Sequence, residues 1–180
     1  MFSSEFLKAL LTLEKSVVRD QIARLTHDQR AMIRSSHACM ERESTKNGLG
    51  LFVRLFSEYP QYKSIWPQFR EIPDSALISS DKLRNHGVVY MAGLKQVVAE
   101  LDDDDKLIEI AKRIAGSHCK WNICKFHIEN MVPSLLEVLN LCMGSEMTSE
   151  IADSWTTLYD IIGNIISIEK TKDILVLSPF

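Results

Sequence analysis

Hydrophobic residues recur at helical spacing along most of the chain. They return every three or four positions, as on the buried face of an α-helix, and no stretch alternates strictly between apolar and polar residues as a half-buried strand does. The strongest stripe, near the C-terminal end, consists of Ile151, Trp155, Leu158, Ile162 and Ile165. The pattern predicts an all-α fold without internal repeats.

Capping and breaking residues divide this pattern into successive helices. Thr26, with Gln29 three positions later, forms a capping box that predicts a helix start. The inward positions of this helix are Ile33, His37 and Met40, and those of the next helix are Leu49, Phe52, Val53 and Phe56. Pro60 marks a short turn of helix after that, and Ser80 is the expected N-cap of the following long helix.

The C-terminal part of the pattern predicts two more helices. They cover residues 126–141 and 148–169. Pro133 lies inside the first of them, and a proline there removes a backbone hydrogen bond, so this helix is predicted to start late or to kink.

An amphipathic stretch precedes the capping box. Residues 4–25 carry Phe6, Leu10, Leu13 and Val17 on one face. We expect an additional helix that packs either on the domain or on a partner, and a homodimer is one such assembly. The chain is then divided into an extension at 1–25, a domain at 26–169 and a short, mobile tail at 170–180.

Composition restricts the class of protein. A chain of 180 residues with 46% hydrophobic content is expected to form one domain with a sizeable core. A net charge of −3 without a basic stripe argues against nucleic-acid binding. No apolar run approaches the roughly 18 residues of a membrane span, and Glu5, Lys8, Glu14 and Lys15 interrupt the region where a secretory signal would lie.

The four cysteines fit a cytoplasmic protein with reduced thiols. They are Cys39, Cys119, Cys124 and Cys142, and no signal peptide accompanies them. Cys119 and Cys124 flank the end of a predicted helix, and whether they ever pair is left open because sequence adjacency does not establish bridging geometry. The acidic run at residues 102–105 predicts a solvated loop that also places negative charge at the start of the next helix.

Two histidines lie on the inward stripes of predicted helices. The face of His86 also carries Leu83, Gly87, Tyr90, Met91 and Leu94, and His118 closes a stripe of Leu107, Ala111 and Ile114. Either histidine alone is more often a hydrogen-bonded core residue than a ligand. Their 32-residue separation accommodates a helix, a connection and most of a second helix. The two imidazoles can therefore approach one buried site from opposite faces.

Several segments, in order, resemble the globin family. The helix of His86 resembles the distal-histidine helix, and Ala115-Gly116-Ser117-His118 resembles the proximal-histidine helix. The other matching segments are Leu25-Thr26-His27-Asp28-Gln29, Phe52-Val53-Arg54-Leu55-Phe56, Tyr59-Pro60 and Trp66-Pro67-Gln68-Phe69. The resemblance covers about residues 25–169 and implies a globin fold with an additional N-terminal helix. Within the family the chain is similar to six-coordinate, nematode and neuroglobin-like members.

The resemblance implies a non-covalent haem b. His118 is then the proximal ligand of the iron and His86 the distal one, and no Cys-x-x-Cys-His motif indicates covalent attachment. The other expected haem contacts are Phe52, Trp66, Phe69, Tyr90, Ile114, Ser117, Ile123 and Ile128. Ser117 is expected to hydrogen-bond either the proximal ligand or a haem propionate. Gly48 and Gly87 match small residues that let two globin helices cross closely.

The chain departs from the family's oxygen carriers beside the iron. Tyr90 stands where those proteins usually have a small β-branched residue, and Phe52 and Trp66 add further bulk. We expect little free volume there and hence bis-histidyl iron coordination. That coordination favours redox, electron-transfer or signalling roles over oxygen storage, with an electron donor or acceptor or a signalling protein as partner. No nucleophile–base pair, phosphate loop or paired carboxylates indicate an enzyme.

Two alternatives stay open. One is a reversible oxygen-binding or oxygen-sensing globin in which the Tyr90 hydroxyl donates to bound oxygen. The other is a haem-free signalling scaffold that keeps only the fold, because fold does not dictate function. Of the remaining histidines, His37 is expected in the core with a neighbour as hydrogen-bond partner, whereas His27 and His127 are expected to be exposed near helix starts.

Overall fold

The computed structural model describes residues 3–177 and, within its terminal helices, leaves out the side chains of residues 4, 6, 7, 10, 11 and 173–177. The described residues form helices and no strand, which confirms the all-α prediction. The helices are α1 (Ser4–Ile22), α2 (His27–Glu41), α3 (Ser44–Glu58), α4 (Asp81–Ala99), α5 (Asp104–Cys119), α6 (Lys125–Met143) and α7 (Ser149–Leu177). Short 3₁₀ helices cover Pro60–Ile65, Asp74–Ser79 and Gly144–Glu146.

Helix α7 is the element against which much of the domain packs. It contacts α1, α2, α5 and α6, and α3 contacts both α4 and α6. The predicted stripe of α7 faces this core: Trp155 is fully buried, and its indole N–H donates to Ser36 Oγ at 2.8 Å. A single hydrophobic core therefore joins α7 to the helices that carry the two inward histidines.

The predicted N-caps are confirmed. Gln29 N donates to Thr26 Oγ1 at 3.2 Å, and Thr26 N donates to Gln29 Oε1 at 3.1 Å, so the capping box is complete. Ser80 Oγ accepts from Leu83 N at 3.3 Å. These bonds satisfy backbone donors that the first turn leaves free, and each cap contributes about 1 kcal/mol.

Helices α3 and α4 cross with their backbones in contact at Gly48 and Gly87. A Cβ atom on Gly48 would lie 2.6 Å from the Gly87 carbonyl oxygen, and one on Gly87 would lie 2.7 Å from the Gly48 carbonyl carbon. Real Cβ atoms are essentially never this close to such atoms. The predicted close crossing is confirmed, and it places Phe52 of α3 beside His86 of α4.

The buried face of α1 differs from the predicted one. Leu13 is 60% exposed and Val17 is half-buried, whereas Val18 and Ile22 are each 1% exposed. The other two predicted positions, Phe6 and Leu10, lie outside the described side chains. The prediction was wrong for Leu13 because apolar periodicity takes no account of ion pairs.

The ion pairs that orient α1 involve a buried carboxylate. Glu14 is 6% exposed and pairs with Lys112 of α5, and its Oε2 lies 3.7 Å from Lys172 Nζ of α7. A carboxylate can be buried at acceptable cost only when opposite charges accompany it. This pairing turns Glu14, rather than Leu13, toward the domain.

The acidic run does more than form a solvated loop. Asp102 Oδ2 lies 2.6 Å from Arg34 Nη2 of α2, and Asp105 pairs with Arg19 of α1 at 2.5 Å. Asp103 caps α5 by accepting from Lys106 N at 3.1 Å. Each exposed pair contributes at most about 1 kcal/mol, but the run links the start of α5 to α1 and α2.

Among the described residues, no group of three or more His, Cys, Asp and Glu side chains could hold a metal ion.

The C-terminal helices are longer than predicted. Helix α6 is continuous through Pro133 and begins at Lys125, so the late start is wrong. The segment predicted as a tail from Lys170 continues α7 to Leu177, and residues 178–180 lie outside the described part. Lys170 Nζ donates to Asn122 Oδ1 at 2.6 Å, which holds this added length against the α5–α6 connection.

Across residues 3–177, none of the helices has the length and apolar character that crossing a membrane requires.

We predict that Gly87→Ala destabilises the protein. Its Cβ would meet the α3 backbone, so the helices must separate, and overpacking of this kind costs about 1–3 kcal/mol. Gly93→Ala is the matched control in the same helix, where a Cβ meets no atom within 4 Å. It should raise the free energy of unfolding by about 0.5–1 kcal/mol. Urea denaturation of both variants checks this, and equal stability of Gly87→Ala and the parent protein would refute the close crossing.

Candidate functional site

His86 lies in a box of aromatic rings. Its ring centroid is 4.6 Å from that of Phe52, 5.2 Å from Trp66 and 5.3 Å from Phe69, each in an edge-on arrangement. Phe52 comes from α3, and the other two follow the 3₁₀ helix that Pro60 starts. Within the described part of the chain, no group is recorded as hydrogen-bonding a ring nitrogen of His86. The sequence placed these four residues together, and the structure brings them into contact.

Burial keeps the His86 imidazole neutral. Burial, with a smaller contribution from charge repulsion by His118, lowers the pKa of His86 to about 4. At neutral pH one ring nitrogen therefore carries a free lone pair, which is the form of histidine that binds metals.

His118, in the last turn of α5, has one ring nitrogen fixed by its own helix. Its Nδ1 lies 2.8 Å from the carbonyl oxygen of Ile114. A carbonyl can only accept, so the proton resides on Nδ1 and the lone pair on Nε2. Burial lowers the pKa of His118 as well. A backbone partner on Nδ1 orients the ring and raises the basicity of Nε2, as is usual for metal-binding histidines.

The connection after α5 is tied to the backbone of His118. The amide N–H groups of Trp121 and Ile123 both donate to the His118 carbonyl, at 3.0 and 3.1 Å. Ile123 is buried beneath this turn, and Ile128 is buried near the start of α6. Ile114, Ile123 and Ile128 are thus apolar residues on the elements that adjoin His118.

Ser117 makes no hydrogen bond to the His118 ring in this structure, and the other expected contact, to a haem propionate, stays a prediction. Its side chain is exposed, and its hydroxyl donates to the Arg113 carbonyl of the same helix at 3.0 Å. A serine within a helix commonly satisfies its hydroxyl on the carbonyl four residues earlier. This local bond competes with an outward bond to the His118 ring.

Tyr90 is joined to a residue that sequence reasoning missed. Its hydroxyl hydrogen-bonds the hydroxyl of Tyr159 on α7, and its ring packs edge-on against Phe52 at 5.5 Å. Burial raises the pKa of both phenols. A buried tyrosine needs a polar partner, which was the available signal, but nothing in the sequence identifies Tyr159 as that partner.

These residues fit a haem group. Haem brings four iron ligands of its own and an apolar macrocycle, and the site offers two neutral imidazoles and aromatic walls. Apolar side chains are also exposed on the elements that bear the histidines: Val89 on α4, and Trp121 and Phe126 around the α5–α6 connection. A flat apolar cofactor would cover surface of this kind.

The other histidines differ in their surroundings. His27 is exposed as predicted. The prediction for His127 was wrong, because it is half-buried, accepts from Cys124 N at 2.9 Å through Nδ1, and packs against Tyr62. His37 is 5% exposed, which confirms its predicted place in the core, but its Nε2 has no hydrogen-bond partner and lies 3.8 Å from Glu41 Oε1.

All four cysteines are thiols in this structure. Cys119 Sγ lies 3.8 Å from the Ile166 carbonyl oxygen, and Cys124 Sγ lies 2.9 Å from Lys170 Nζ. The two sulfurs that flank the end of α5 thus have different polar neighbours.

Comparison with known proteins is consistent with this geometry. The family model described as Globin matches residues 49–166. The chain is 30% identical to cytoglobin-1 of Oryzias latipes over 140 residues, which cover 77% of this chain and 79% of that protein. It is 23% identical to a globin of Nerita albicilla over 153 residues, 85% and 98% of the two chains. It is 28% identical to the myoglobin of Heterodontus portusjacksoni over 126 residues, 69% and 83%.

We predict that His37 destabilises the protein in acid. Burial lowers the pKa of His37 below its ordinary value of 6.5, although Glu41 opposes the shift and Lys95 adds to it. The unfolded chain then binds more protons than the folded one below pH 6.5, so stability falls as pH falls through that range. His37→Leu removes this proton uptake. Urea denaturation at pH 7 and pH 5 gives the free energy of unfolding of the variant and of the parent protein. The variant should gain stability relative to the parent protein between pH 7 and pH 5, and a difference that does not change with pH would contradict the prediction.

Proposed function

Since the chain belongs to the globin family, whose members bind haem, we propose that it holds haem iron between His118 and His86 and acts in redox, electron-transfer or signalling chemistry rather than oxygen storage. When bound, the haem supplies one-electron chemistry and an affinity for small gases. The residues around the haem determine whether electron exchange or gas binding is favoured. Their arrangement supports electron exchange.

The observation that carries the proposal is the surroundings of His86. Three aromatic rings lie within 5.3 Å of its ring centroid, and no described group hydrogen-bonds its nitrogens. A half-buried polar ring without a partner is costly, and ligation of iron would satisfy it. The same rings occupy space that an external ligand would need, so a gas must displace both His86 and its packing.

The proximal side supports the same coordination. The Ile114 carbonyl keeps the His118 ring in one tautomer and one orientation, so Nε2 is available as a permanent ligand. If both imidazoles stay bound in both oxidation states, little reorganises on electron transfer. That property suits exchange of single electrons with a donor, an acceptor or a signalling partner.

The alternative function is reversible oxygen binding or sensing, with the Tyr90 hydroxyl donating to oxygen. The similarity to a myoglobin favours it. Against it, the Tyr90 hydroxyl is already bonded to Tyr159. The second alternative, a haem-free signalling scaffold, has less support, because both histidines are present, neutral and set in apolar surroundings.

The remaining parts of the proposal follow from this assignment. The cofactor is a non-covalent haem b, the protein is cytoplasmic, and it is not an enzyme. The globin domain begins at residue 26 and includes α7, which continues beyond the predicted boundary at 169. Helix α1 is the additional N-terminal helix, and its exposed Leu13 leaves apolar surface for a partner or a second copy of the chain.

We predict that His86→Leu converts the haem-loaded protein from six-coordinate to five-coordinate iron. The leucine keeps apolar bulk but cannot bind the metal. Optical spectra of the dithionite-reduced parent protein should show sharp low-spin bands, and those of the variant a single broad five-coordinate band. Carbon monoxide should then bind the variant faster, because no internal ligand has to leave first.

His37→Leu serves as the matched control, since it removes another buried histidine on a different helix, and its spectra should equal those of the parent protein. A broad five-coordinate band in the reduced parent protein would rule out distal ligation by His86. A ferrous parent protein that is stable and reversibly oxygenated in air would favour oxygen binding, and the absence of a Soret band after haem reconstitution would favour the scaffold.

A further inference from the structure

Tyr90 and Tyr159 form a hydroxyl pair between the His86 helix and the core helix α7. Tyr90 lies one turn beyond His86 on α4, and Tyr159 is 4% exposed. Phe52 packs edge-on against both His86 and Tyr90, with ring centroids 4.6 and 5.5 Å away. The pair is thus separated from the proposed iron ligand by one aromatic ring.

The two hydroxyls have more protons to donate than the hydrogen bond between them uses. Each phenol has one proton to donate, and the bond between the two hydroxyls uses only one of the two protons. Among the described residues, no other group is recorded as bonding either hydroxyl. The hydrogen bond therefore fixes where the Tyr90 oxygen lies, and its direction decides whether the Tyr90 proton is available to anything else.

Tyr159 itself is too enclosed to take part at the iron. Its ring packs toward Trp155 of the same helix, at 6.4 Å between centroids, in the fully buried centre of the domain. Only Tyr90 has a ring that reaches the aromatic box. Any effect of Tyr159 on the distal side must therefore act through Tyr90.

We infer that Tyr159 is a positioning residue for the distal side: it holds the Tyr90 hydroxyl against α7 and accepts a hydrogen bond from it, which leaves His86 as the polar group facing the iron. The inference rests on the proposed haem site. It assigns a role to a residue outside that site, and it explains how a tyrosine can stand beside His86 without competing with it. A ligand could accept a hydrogen bond from the Tyr90 hydroxyl only if Tyr159 became the donor in the bond between the two tyrosines.

The test uses the carbon monoxide complex of the reduced, haem-loaded protein, compared by infrared spectroscopy in Tyr159→Phe, Tyr90→Phe and the double variant. In Tyr159→Phe the Tyr90 hydroxyl has lost its acceptor and should turn to the bound ligand. A new C–O stretching band at lower frequency is expected, because a donor at the oxygen weakens the bond. Dissociation of carbon monoxide should slow by roughly two- to tenfold, the effect of one hydrogen bond. Both effects should be lost in the double variant.

Three results would overturn the inference. The first is a C–O band in Tyr159→Phe identical to that of the parent protein, and the second is a shift that persists in the double variant. The third is a shift to higher frequency in Tyr90→Phe alone, because that would mean that Tyr90 already donates to the ligand while Tyr159 is present. This third result needs no Tyr159 variant, so it remains decisive if Tyr159→Phe fails to fold.

Tyr62→Phe is the matched control. Tyr62 is a buried phenol whose hydroxyl accepts from Asn130 Nδ2 at 2.7 Å, so its loss has a comparable effect on packing and should leave the C–O band unchanged. Carbon monoxide takes the distal position in every variant. The outcome therefore holds whether the resting iron is five- or six-coordinate, and the resting spectrum of the parent protein tests His86 ligation separately.

Discussion

The backbone contact between Gly48 and Gly87 is the constraint on which the distal side depends. Because neither residue has a Cβ, α3 and α4 approach so closely that a Cβ on one glycine would lie 2.6 or 2.7 Å from the backbone of the other. Phe52 lies one turn beyond the first glycine, and His86 immediately precedes the second. The crossing therefore sets the 4.6 Å separation of these two rings, and through Phe52 it also sets the place of Tyr90. Wider helix spacing would loosen all three contacts.

Burial then determines the chemistry of the two histidines. In water an imidazole is protonated in a large fraction of molecules near pH 6.5, whereas the apolar surroundings of His86 hold its pKa near 4. Iron binds the neutral form of an imidazole. Burial in the core therefore also keeps both histidines in the form that can bind the metal. His37 is also buried and its pKa is also lowered, but its Nε2 lies 3.8 Å from the Glu41 carboxylate of its own helix.

Local sequence signals predicted the fold and the distal aromatic box well, and long-range polar contacts poorly. The Thr26 capping box and the stripe around Trp155 depend on neighbouring residues, and both are confirmed. The orientation of α1 depends on Glu14 meeting lysines from distant helices, and no periodicity encodes that. Tyr159 was missed for the same reason, since its partner lies 69 residues away. The coordination of the iron stays a prediction.

The two amides that converge on the His118 carbonyl have a mechanical consequence. The amide groups of Trp121 and Ile123 donate to the same oxygen, so the backbone of His118 is tied to the connection that leads into α6. If His118 holds the haem iron as proposed, a displacement of its backbone would move this connection and, with it, the exposed indole of Trp121. A change at the buried ligand would then alter the surroundings of a side chain at the protein surface.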